Sequence, residues 1–263
     1  MAQSQLVTLL TDFGWQDVYV AVMKGVIAKI NPQIAVIDLT HQIPPQDLLA
    51  GRFALLNAYA YFPPDTVHIA VIDPGVGSQR RGIAIQLAGG FLVGADNGLF
   101  SGILQIESAI AAVELSNSKY WHTERPSTTF HGRDIFAPVG AHLANGVDLK
   151  ELGKEIAIDS LVKLSLPQVA IDRNQIIGCI QYIDRFGNLI TNITAQNLQP
   201  NYQVIIKQQS IPWGNTYSDG KDRELIALIG SHGYLEIAVN CGNAREKLQV
   251  TIGEIVVVRL LEQ

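Results

Sequence analysis

The chain has 263 residues, of which 48% are hydrophobic, and a formal net charge of −5. This length suits one large domain or two modest ones, and the apolar content is sufficient for a buried core. An acidic chain without a stripe of Lys and Arg is not typical of nucleic-acid-binding proteins. The apolar runs are too short to cross a bilayer and no signal peptide precedes them, so we expect no membrane association and a cytoplasmic location. The two cysteines, Cys179 and Cys241, indicate no disulfide framework.

The first part of the chain alternates β-branched runs with helical patterns. The predicted strands are Leu6–Leu10, Ala35–Leu39, His68–Ile72, Ile83–Leu87 and Phe91–Gly94. The predicted helices are Val18–Ile30, Gln46–Tyr61, Asn97–Ile106 and Ile135–Asn145. Strands that alternate with helices of this length predict a mostly parallel sheet between helices, an α/β/α sandwich over residues 1–165.

The pattern changes near Leu161–Gln168. Beyond this segment the apolar runs are short, rich in β-branched residues and separated by turn residues, and no long helical pattern is present. These runs are Gln175–Asp184, Leu189–Ile193, Gln203–Ile206, Leu225–Ile229, Leu235–Val239 and Ile255–Leu260. They predict a smaller all-β domain over residues 166–263, so the expected fold class is α/β with a separate β domain.

Three polar clusters interrupt the apolar runs of the first domain. Asp12 follows the first strand, Asp73 follows the strand His68–Ile72, and the third cluster is Thr129–Asp134. In open α/β sheets, ligand sites form outside the carboxyl ends of the strands. We therefore expect the three clusters to contribute to one active site. The alternative is that each acid only caps a helix or a turn.

Several standard catalytic motifs are missing, including a phosphate-binding loop, a zinc-binding H-E-x-x-H motif and a nucleophile elbow. The histidines have no metal-ligand spacing, which disfavours a metal enzyme. The remaining constellation is Asp73, Arg80 and His131. A carboxylate, a guanidinium and an imidazole together bind and orient water, and the cation stabilises developing hydroxide. The alternative is a structural Asp–Arg ion pair and an unrelated histidine.

The second domain adds a polar segment between two predicted strands. Asp184, Phe186 and Asn188 offer an anion for an amine, a stacking face and an amide for adenine. A β-hairpin turn explains the same segment without any ligand. Tyr217 supplies another aromatic face, and Ser231 is a small donor that suits a carboxylate, although an ordinary polar turn explains it equally.

Ordered motifs along nearly the whole chain are similar to those of a known family. They are Thr11-Asp12-Phe13-Gly14, Asp73-Pro74-Gly75-Val76-Gly77, Ala95-Asp96-Asn97-Gly98-Leu99, Phe130-His131-Gly132-Arg133-Asp134-Ile135-Phe136-Ala137-Pro138, Ile183-Asp184-Arg185-Phe186-Gly187-Asn188 and Gly233-Tyr234-Leu235-Glu236-Ile237-Ala238-Val239-Asn240. On these motifs the chain resembles the S-adenosyl-L-methionine hydroxide adenosyltransferase family, which is related to the bacterial fluorinating and chlorinating enzymes.

The resemblance implies hydrolysis of S-adenosylmethionine to adenosine and L-methionine, with hydroxide attacking C5′ and no cofactor besides the substrate. It assigns Asp73, Arg80 and His131 to the activation of water. It assigns the remaining residues to the substrate: Asp12 to the ribose hydroxyls, Asn188 to the adenine edge, Asp184 to the methionine ammonium, Phe186 and Tyr217 to the adenine faces, and Ser231 to the methionine carboxylate.

The halogenating relatives differ from this chain at the residues assigned to water. They carry Tyr, Thr and Tyr where this chain has Asp73, Arg80 and His131, so the chain is similar to the hydroxide-using branch. They also carry an Arg in place of His232 and a stacking Trp in place of Gln46. The resemblance further implies a homotrimer with sites at the subunit interfaces. The alternative function is an adenosine or S-adenosylmethionine sensor with negligible turnover, and the intact Asp–Arg–His set favours the enzyme.

Overall fold

The computed structural model describes residues 5–198 and 202–260. The chain divides into two compact units between Leu164 and Ser165, called unit 1 and unit 2 below. The strands of unit 1 are β1 Leu6–Thr11, β2 Ala35–Thr40, β3 Thr66–Val71, β4 Gly82–Gln86, β5 Gly90–Ala95, β6 Ala111–Glu114 and β7 Lys154–Glu155. Its helices are α1 Tyr19–Ile30, α2 Leu48–Tyr59, α3 Ser101–Ile106 and α4 Ala137–Ala144. No helix within the described residues is long and apolar enough to span a membrane.

The sheet of unit 1 has the strand order β2-β1-β3-β5-β4-β6-β7 and is mixed. Strands β2, β1, β3 and β5 run parallel to one another, whereas β4 is antiparallel to β5 and β6, and β6 is antiparallel to β7. The prediction of a mostly parallel sheet was therefore wrong for the half of the sheet that contains β4, β6 and β7. The connection from Gln86 to Gly90 is too short for a crossover, so it can only form a hairpin.

Helices cover both faces of the sheet. Val7, Leu9, Val67 and Ile69 lie in one apolar core with α1 and α4, and a Cβ added to Gly140 of α4 would stand 2.4 Å from Ile69 Cδ1. On the other face α2 packs against the end of β3, where a Cβ at Gly51 would stand 2.0 Å from Ile72 Cδ1. Burial on both faces explains why the central strands read as continuous apolar runs rather than as alternating patterns.

Three helices begin two or more residues later than predicted. Helix α2 begins at Leu48 rather than Gln46, because Gln46 has a φ of 66° and the side chain of Asp47 accepts a hydrogen bond from the Ala50 N–H at 2.9 Å. Helix α3 begins at Ser101, four residues later than predicted. Helix α4 is preceded by a π-helical turn over Gly132–Phe136.

The sheet of unit 2 is built from antiparallel ladders. Its strands are β8 Ala170–Ile171, β9 Gln175–Ile183, β10 Leu189–Thr194, β11 Tyr202–Ile206, β12 Gln209–Ile211, β13 Leu225–Ile229, β14 Tyr234–Val239 and β15 Ile255–Leu260. Their order is β12-β11-β15-β9-β10-β14-β13, with β8 paired to β9. The all-β prediction omitted one short helix, α5 Ala244–Leu248, which is capped by the Asn243 side chain. Cys179 is buried and Cys241 is exposed, and both are free thiols.

Candidate active site

A cavity of about 330 Å³ opens in unit 1 beyond the carboxyl ends of β1 and β3. These strands are parallel neighbours, with Thr11 paired to Val71, so Asp12 and Asp73 emerge at the same edge of the sheet. The cavity is lined by Asp12, Phe13, Pro45, Gln46, Val71, Asp73, Pro74, Val76, Thr129, Phe130, His131 and Gly132. Apolar walls with a few convergent polar groups are typical of a small-molecule site.

Asp73 and Arg80 form a two-point ion pair at this cavity. Arg80 Nε donates to Asp73 Oδ1 at 3.0 Å, and Arg80 Nη2 donates to Asp73 Oδ2. The two side chains are only 6% and 12% exposed. The guanidinium also lies over the Phe136 ring, with Cζ 5.4 Å from the ring centroid. Bidentate geometry and burial together hold the arginine fork in one orientation.

His131 belongs to the same hydrogen-bonded group. Arg80 Nη2 lies 2.7 Å from His131 Nδ1, and because a guanidinium has no acceptor, Nδ1 must be the unprotonated nitrogen. Burial lowers the pKa of His131 and the charge of Arg80 lowers it further, while Asp73 and Asp134 offset only part of this effect. The imidazole is therefore neutral near physiological pH, with its hydrogen on Nε2. The histidine is joined to the ion pair rather than unrelated to it.

The contact between the Asp73 loop and the His131 segment depends on Gly77. This residue has a φ of +77°, and a Cβ added to it would stand 2.3 Å from the carbonyl oxygen of Thr128. Only glycine allows so close an approach in this backbone conformation. In the sequence, the motif Asp73–Gly77 indicates a tight loop, but no pattern shows that Gly77 joins two segments that are distant in the sequence.

Asn97 fixes the strand end from which Asp73 emerges. Its Nδ2 donates to the carbonyl oxygen of Ile72 at 2.8 Å. The sequence predicts a helix that begins at Asn97, but the helix begins only at Ser101. The signal was present in the motif Ala95–Leu99, where a carboxamide lies two residues beyond the end of an apolar strand.

Asp134 anchors the segment that carries His131. It is fully buried, and it accepts hydrogen bonds from Arg133 Nε at 2.6 Å, from Arg133 Nη2 at 2.8 Å and from the Ser127 N–H at 2.8 Å. Burial alone would raise the pKa of Asp134, but these donors outweigh burial and hold the pKa below its usual value. The adjoining π-helical turn is a form that occurs frequently at functional sites.

Arg81 contacts a different part of unit 1 from its neighbour Arg80. Its Nε donates to Asp96 Oδ2 at 2.9 Å, and its Nη1 and Nη2 donate to the side chain and carbonyl oxygen of Ser160 at 3.1 and 2.6 Å. Asp96 Oδ1 also accepts the Val162 N–H at 2.9 Å. Arg81 therefore ties the segment around Ser160 to the sheet, whereas Arg80 faces the cavity group.

Asp12 is oriented by the backbone ahead of α2. Its Oδ2 accepts the Gln46 N–H at 2.8 Å, and the left-handed conformation of Gln46 turns this N–H toward the carboxylate. Oδ1 has no hydrogen-bond partner among the described residues and is available to a ligand in the cavity. From the sequence, Gln46 was noted only as the residue that replaces a stacking Trp of the halogenating relatives, and this contribution of its main chain was missed.

In unit 2, Asp184 organises the turn between β9 and β10. Its Oδ1 accepts the N–H groups of Phe186 and Asn188, both at 2.9 Å, and its Oδ2 accepts Asn188 Nδ2 at 3.0 Å. The hairpin interpretation of this segment therefore describes its local structure. Phe186 is 74% exposed, so its ring is presented as an open face, while Asn188 is buried with Oδ1 not engaged by Asp184.

Tyr217 and the β13–β14 turn meet at a buried carboxylate that the sequence analysis missed. The Tyr217 hydroxyl donates to Glu236 Oε1 at 2.8 Å, and His232 Nε2 lies 3.1 Å from Glu236 Oε2. Burial, the hydrogen bond to Glu236, and the charges of Glu236 and Asp184 raise the pKa of Tyr217 to about 12. Ser231 lies in the same turn. The available signal was a single Glu inside the apolar run Tyr234–Val239.

The predicted site residues divide between the two units. Unit 1 brings Asp73, Arg80 and His131 into direct contact beside a cavity that Asp12 also lines. Unit 2 carries the others on three segments. Asp184, Phe186 and Asn188 lie in the turn between β9 and β10, Tyr217 lies on the connection between β12 and β13, and Ser231 lies in the turn between β13 and β14. Across residues 5–198 and 202–260, no group of three or more His, Cys, Asp or Glu side chains is arranged to hold a metal ion.

Comparison with known proteins also finds two domains along the chain. Residues 7–153 match the model of the SAM hydroxide adenosyltransferase N-terminal domain, and residues 178–257 match that of the C-terminal domain. A solved structure of an uncharacterized conserved protein from Thermotoga maritima superposes with a TM-score of 0.90 at 32% identity, covering 96% of this chain and 99% of that one.

Curated relatives include both hydrolases and halogenating enzymes. A protein of Salinispora tropica named (R)-S-adenosyl-L-methionine hydrolase is 39% identical over 259 residues, which is 97% of each chain. A fluorinase of an Actinoplanes species is 27% identical over 289 residues, covering 94% of this chain and 97% of that protein. On the two domain matches and the full-length similarity, this chain belongs to the SAM hydroxide adenosyltransferase family.

Proposed function

We propose that this protein hydrolyses S-adenosyl-L-methionine to adenosine and L-methionine, with the oxygen of water attacking C5′ of the nucleoside. One observation carries the proposal: the hydrogen-bonded group of Asp73, Arg80 and His131 beside the cavity lined by Asp12. The family and the 39% identity to a named hydrolase support the same reaction. The substrate itself supplies the leaving group, and the reaction needs no cofactor.

The geometry of the group supports a specific role for each residue toward water. Each Asp73 oxygen accepts one hydrogen bond from Arg80, so a second lone pair on either oxygen remains for a hydrogen of the attacking water. The Nε2–H of neutral His131 is a donor to the oxygen of that water. Arg80 holds both partners in place and stabilises negative charge that develops on the oxygen.

The hydrolysis of S-adenosylmethionine requires little from the protein beyond this positioning of the attacking water. The water oxygen forms a bond to C5′ while the C5′–S bond breaks and its electron pair goes to sulfur. One proton leaves the water oxygen through Asp73 to solvent, and the products are adenosine and a neutral thioether, so no general acid is required. A site that excludes bulk water favours a reaction in which hydroxide and sulfonium neutralise each other. Alignment of water with the C5′–S bond contributes much of the acceleration.

Substrate contacts complete the proposal. We assign Asp12 to the ribose diol through its available Oδ1, Asn188 to the adenine edge, and Phe186 and Tyr217 to the adenine faces. Asp184 is assigned to the methionine ammonium and Ser231 to the carboxylate. The homotrimer with interfacial sites that the resemblance implies is part of the same proposal, and sedimentation measures this oligomeric state. The cytoplasmic location expected from the sequence is also part of it.

The position of the new oxygen atom tests the proposed bond cleavage. In oxygen-18 water, we expect the label in the 5′-hydroxyl of adenosine and none in methionine, because the assigned residues hold water behind C5′. Mass spectrometry of both products measures this. Labelled homoserine with methylthioadenosine, or methanol with S-adenosylhomocysteine, would show attack at another carbon. A sensor without turnover would instead bind adenosine and release no methionine in a single-turnover experiment.

The pH dependence of the reaction follows from the neutral state of His131. Its pKa lies below the ordinary value of 6.5, and protonation would set two donors, Nδ1–H and Arg80 Nη2, against each other. We therefore expect kcat/KM to be constant through neutral pH and to fall as the pH drops, with a midpoint below 6.5. A pH–rate profile and an NMR titration of His131 measure it. A midpoint above 6.5 would mean that the protonated imidazole is the stabilised form.

A further inference from the structure

Glu236 is a carboxylate inside the sheet of unit 2. It lies near the middle of β14, paired with Ile190 of β10 on one side and with Leu228 of β13 on the other. Its residue exposure is only 3%. Burial of a carboxylate is costly, and an apolar side chain of similar size usually fills such a position with no loss of stability. Packing alone therefore does not explain the presence of an acid here.

Each oxygen of Glu236 accepts a hydrogen bond from a different segment of the chain. Tyr217, on the connection between β12 and β13, donates its hydroxyl to Oε1 at 2.8 Å. His232, in the turn between β13 and β14, faces Oε2 with Nε2 at 3.1 Å. The N–H of Tyr234 donates to His232 Nδ1 at 3.2 Å, so the imidazole hydrogen lies on Nε2 and points at the carboxylate.

The backbone of the turn is shaped around this contact. A Cβ added to Gly230 would stand 2.5 Å from Glu236 Oε2 and 2.5 Å from His232 Nε2. Any side chain at Gly230 would therefore separate the His232 imidazole from the Glu236 carboxylate. Two independent segments and one glycine therefore converge on a single buried acid.

We propose that Glu236 is a positioning residue that fixes the ring of Tyr217 and the Ser231–His232 turn for substrate binding. The inference rests on the proposed function, which assigns Tyr217 to adenine and Ser231 to the methionine carboxylate. Tyr217 is 45% exposed as a residue, and its hydroxyl is held by the Glu236 carboxylate. Fixing an exposed ring before the ligand arrives reduces the conformational entropy that binding must remove.

The test compares a positioning role with a merely structural one. In Glu236→Met the space remains filled, but the Tyr217 hydroxyl and the His232 N–H lose their acceptor, so we expect a lower Tm in a protein that is still folded at the assay temperature. We expect Kd for adenosine and KM for S-adenosylmethionine to rise about tenfold or more, since the lost bonds involve a charged group. We expect kcat to change much less, because the attacking water is held by other residues. Calorimetry, steady-state kinetics and thermal unfolding measure these quantities.

A double-mutant cycle shows whether the effect passes through the tyrosine. Tyr217→Phe keeps the ring and removes only the bond to Glu236, so we expect a part of the same loss of adenosine affinity. We expect the double variant Tyr217→Phe with Glu236→Met to bind no more weakly than Glu236→Met alone. Glu246→Gln makes a change of charge at an exposed glutamate of unit 2, and it should leave Kd and KM at the wild-type values.

Two outcomes would overturn the positioning role. One is an unchanged Kd for adenosine in a folded Glu236→Met protein. The other is a loss of affinity that follows a lowered Tm and disappears on cooling, which would make Glu236 structural. Failure of the wild-type protein to release methionine from S-adenosylmethionine would instead contradict the proposed function, whatever the affinities of the variants.

Discussion

Replacement of Arg80 with methionine should lower kcat by about 10²- to 10⁴-fold, with a much smaller change in KM. The guanidinium donates to both oxygens of Asp73 and to His131 Nδ1 at 2.7 Å. Without it, the acid and the imidazole lose their common anchor, and water loses the cation that stabilises developing hydroxide. The loss concerns the chemical step, because Arg80 is assigned no contact with the nucleoside.

Lysine should not rescue the activity of the Arg80 variant. A lysine ammonium carries the same charge but lacks the planar fork that joins Asp73 and His131 at once. We therefore expect Arg80→Lys to resemble Arg80→Met more than the wild type. His131→Ala should also lower kcat rather than raise KM. Because Arg80 and His131 act as one group, the kcat of the double variant Arg80→Met with His131→Ala should fall by much less than the product of the two single losses. Single-turnover and steady-state kinetics measure these effects.

Arg81→Met is the matched control for Arg80→Met. Both arginines make two hydrogen bonds to a buried aspartate side chain, but Arg81 donates to a single oxygen of Asp96 and to Ser160, away from the cavity. Removing it leaves Asp96 buried without its partner, so the free energy of unfolding should fall by about 3 kcal/mol. The kcat of the folded fraction should remain close to the wild-type value. Equal losses of kcat in both variants, or a pure rise in KM for Arg80→Met, would remove Arg80 from the chemical step.

The parallel half of the first sheet could be predicted from sequence, and the antiparallel half was missed. Buried strands such as Leu6–Thr11 and Thr66–Val71 are continuous apolar runs, and long helical patterns separate them. The sequence between β4 and β5 indicates an antiparallel pair instead. Only Leu87-Ala88-Gly89 separates these strands, and a short connection that contains glycine is typical of a hairpin. The short strand Ala111–Glu114 has too few residues to show a period.

The candidate catalytic group could be predicted only as residue types, not as a contact. Asp73 and Arg80 share one loop, but His131 is 51 residues beyond Arg80. Their meeting depends on backbone features such as the approach of Gly77 to Thr128, and no side-chain pattern encodes such an approach. Glu236 was missed for a related reason, because its partners lie 19 and 4 residues away on separate segments. A lone acid in an apolar strand was the only indication.

Replacement of Asp12 with alanine should weaken adenosine binding by about one to two orders of magnitude. Oδ2 of Asp12 is held by the Gln46 N–H at 2.8 Å, and this contact orients Oδ1 toward a ligand in the cavity. A ribose hydroxyl that donates to a carboxylate makes a charge-assisted bond worth roughly 1.5–3 kcal/mol, and about 1.4 kcal/mol corresponds to a tenfold change in Kd. If both hydroxyls of the ribose diol donate to the carboxylate, we expect the loss of adenosine affinity to lie near two orders of magnitude, the upper end of the expected range.

Two comparisons identify the lost interaction as the one with the ribose diol. Calorimetry with 2′,3′-dideoxyadenosine should show nearly equal affinities for wild type and Asp12→Ala, because the missing hydroxyls can no longer distinguish the proteins. Asp159→Ala removes an exposed acid of unit 1 and should leave both affinities unchanged, which excludes an effect of net charge. If Asp12→Ala bound adenosine as tightly as the wild type, the carboxylate would have no part in nucleoside binding, and its bond to Gln46 would serve only to shape the loop ahead of α2.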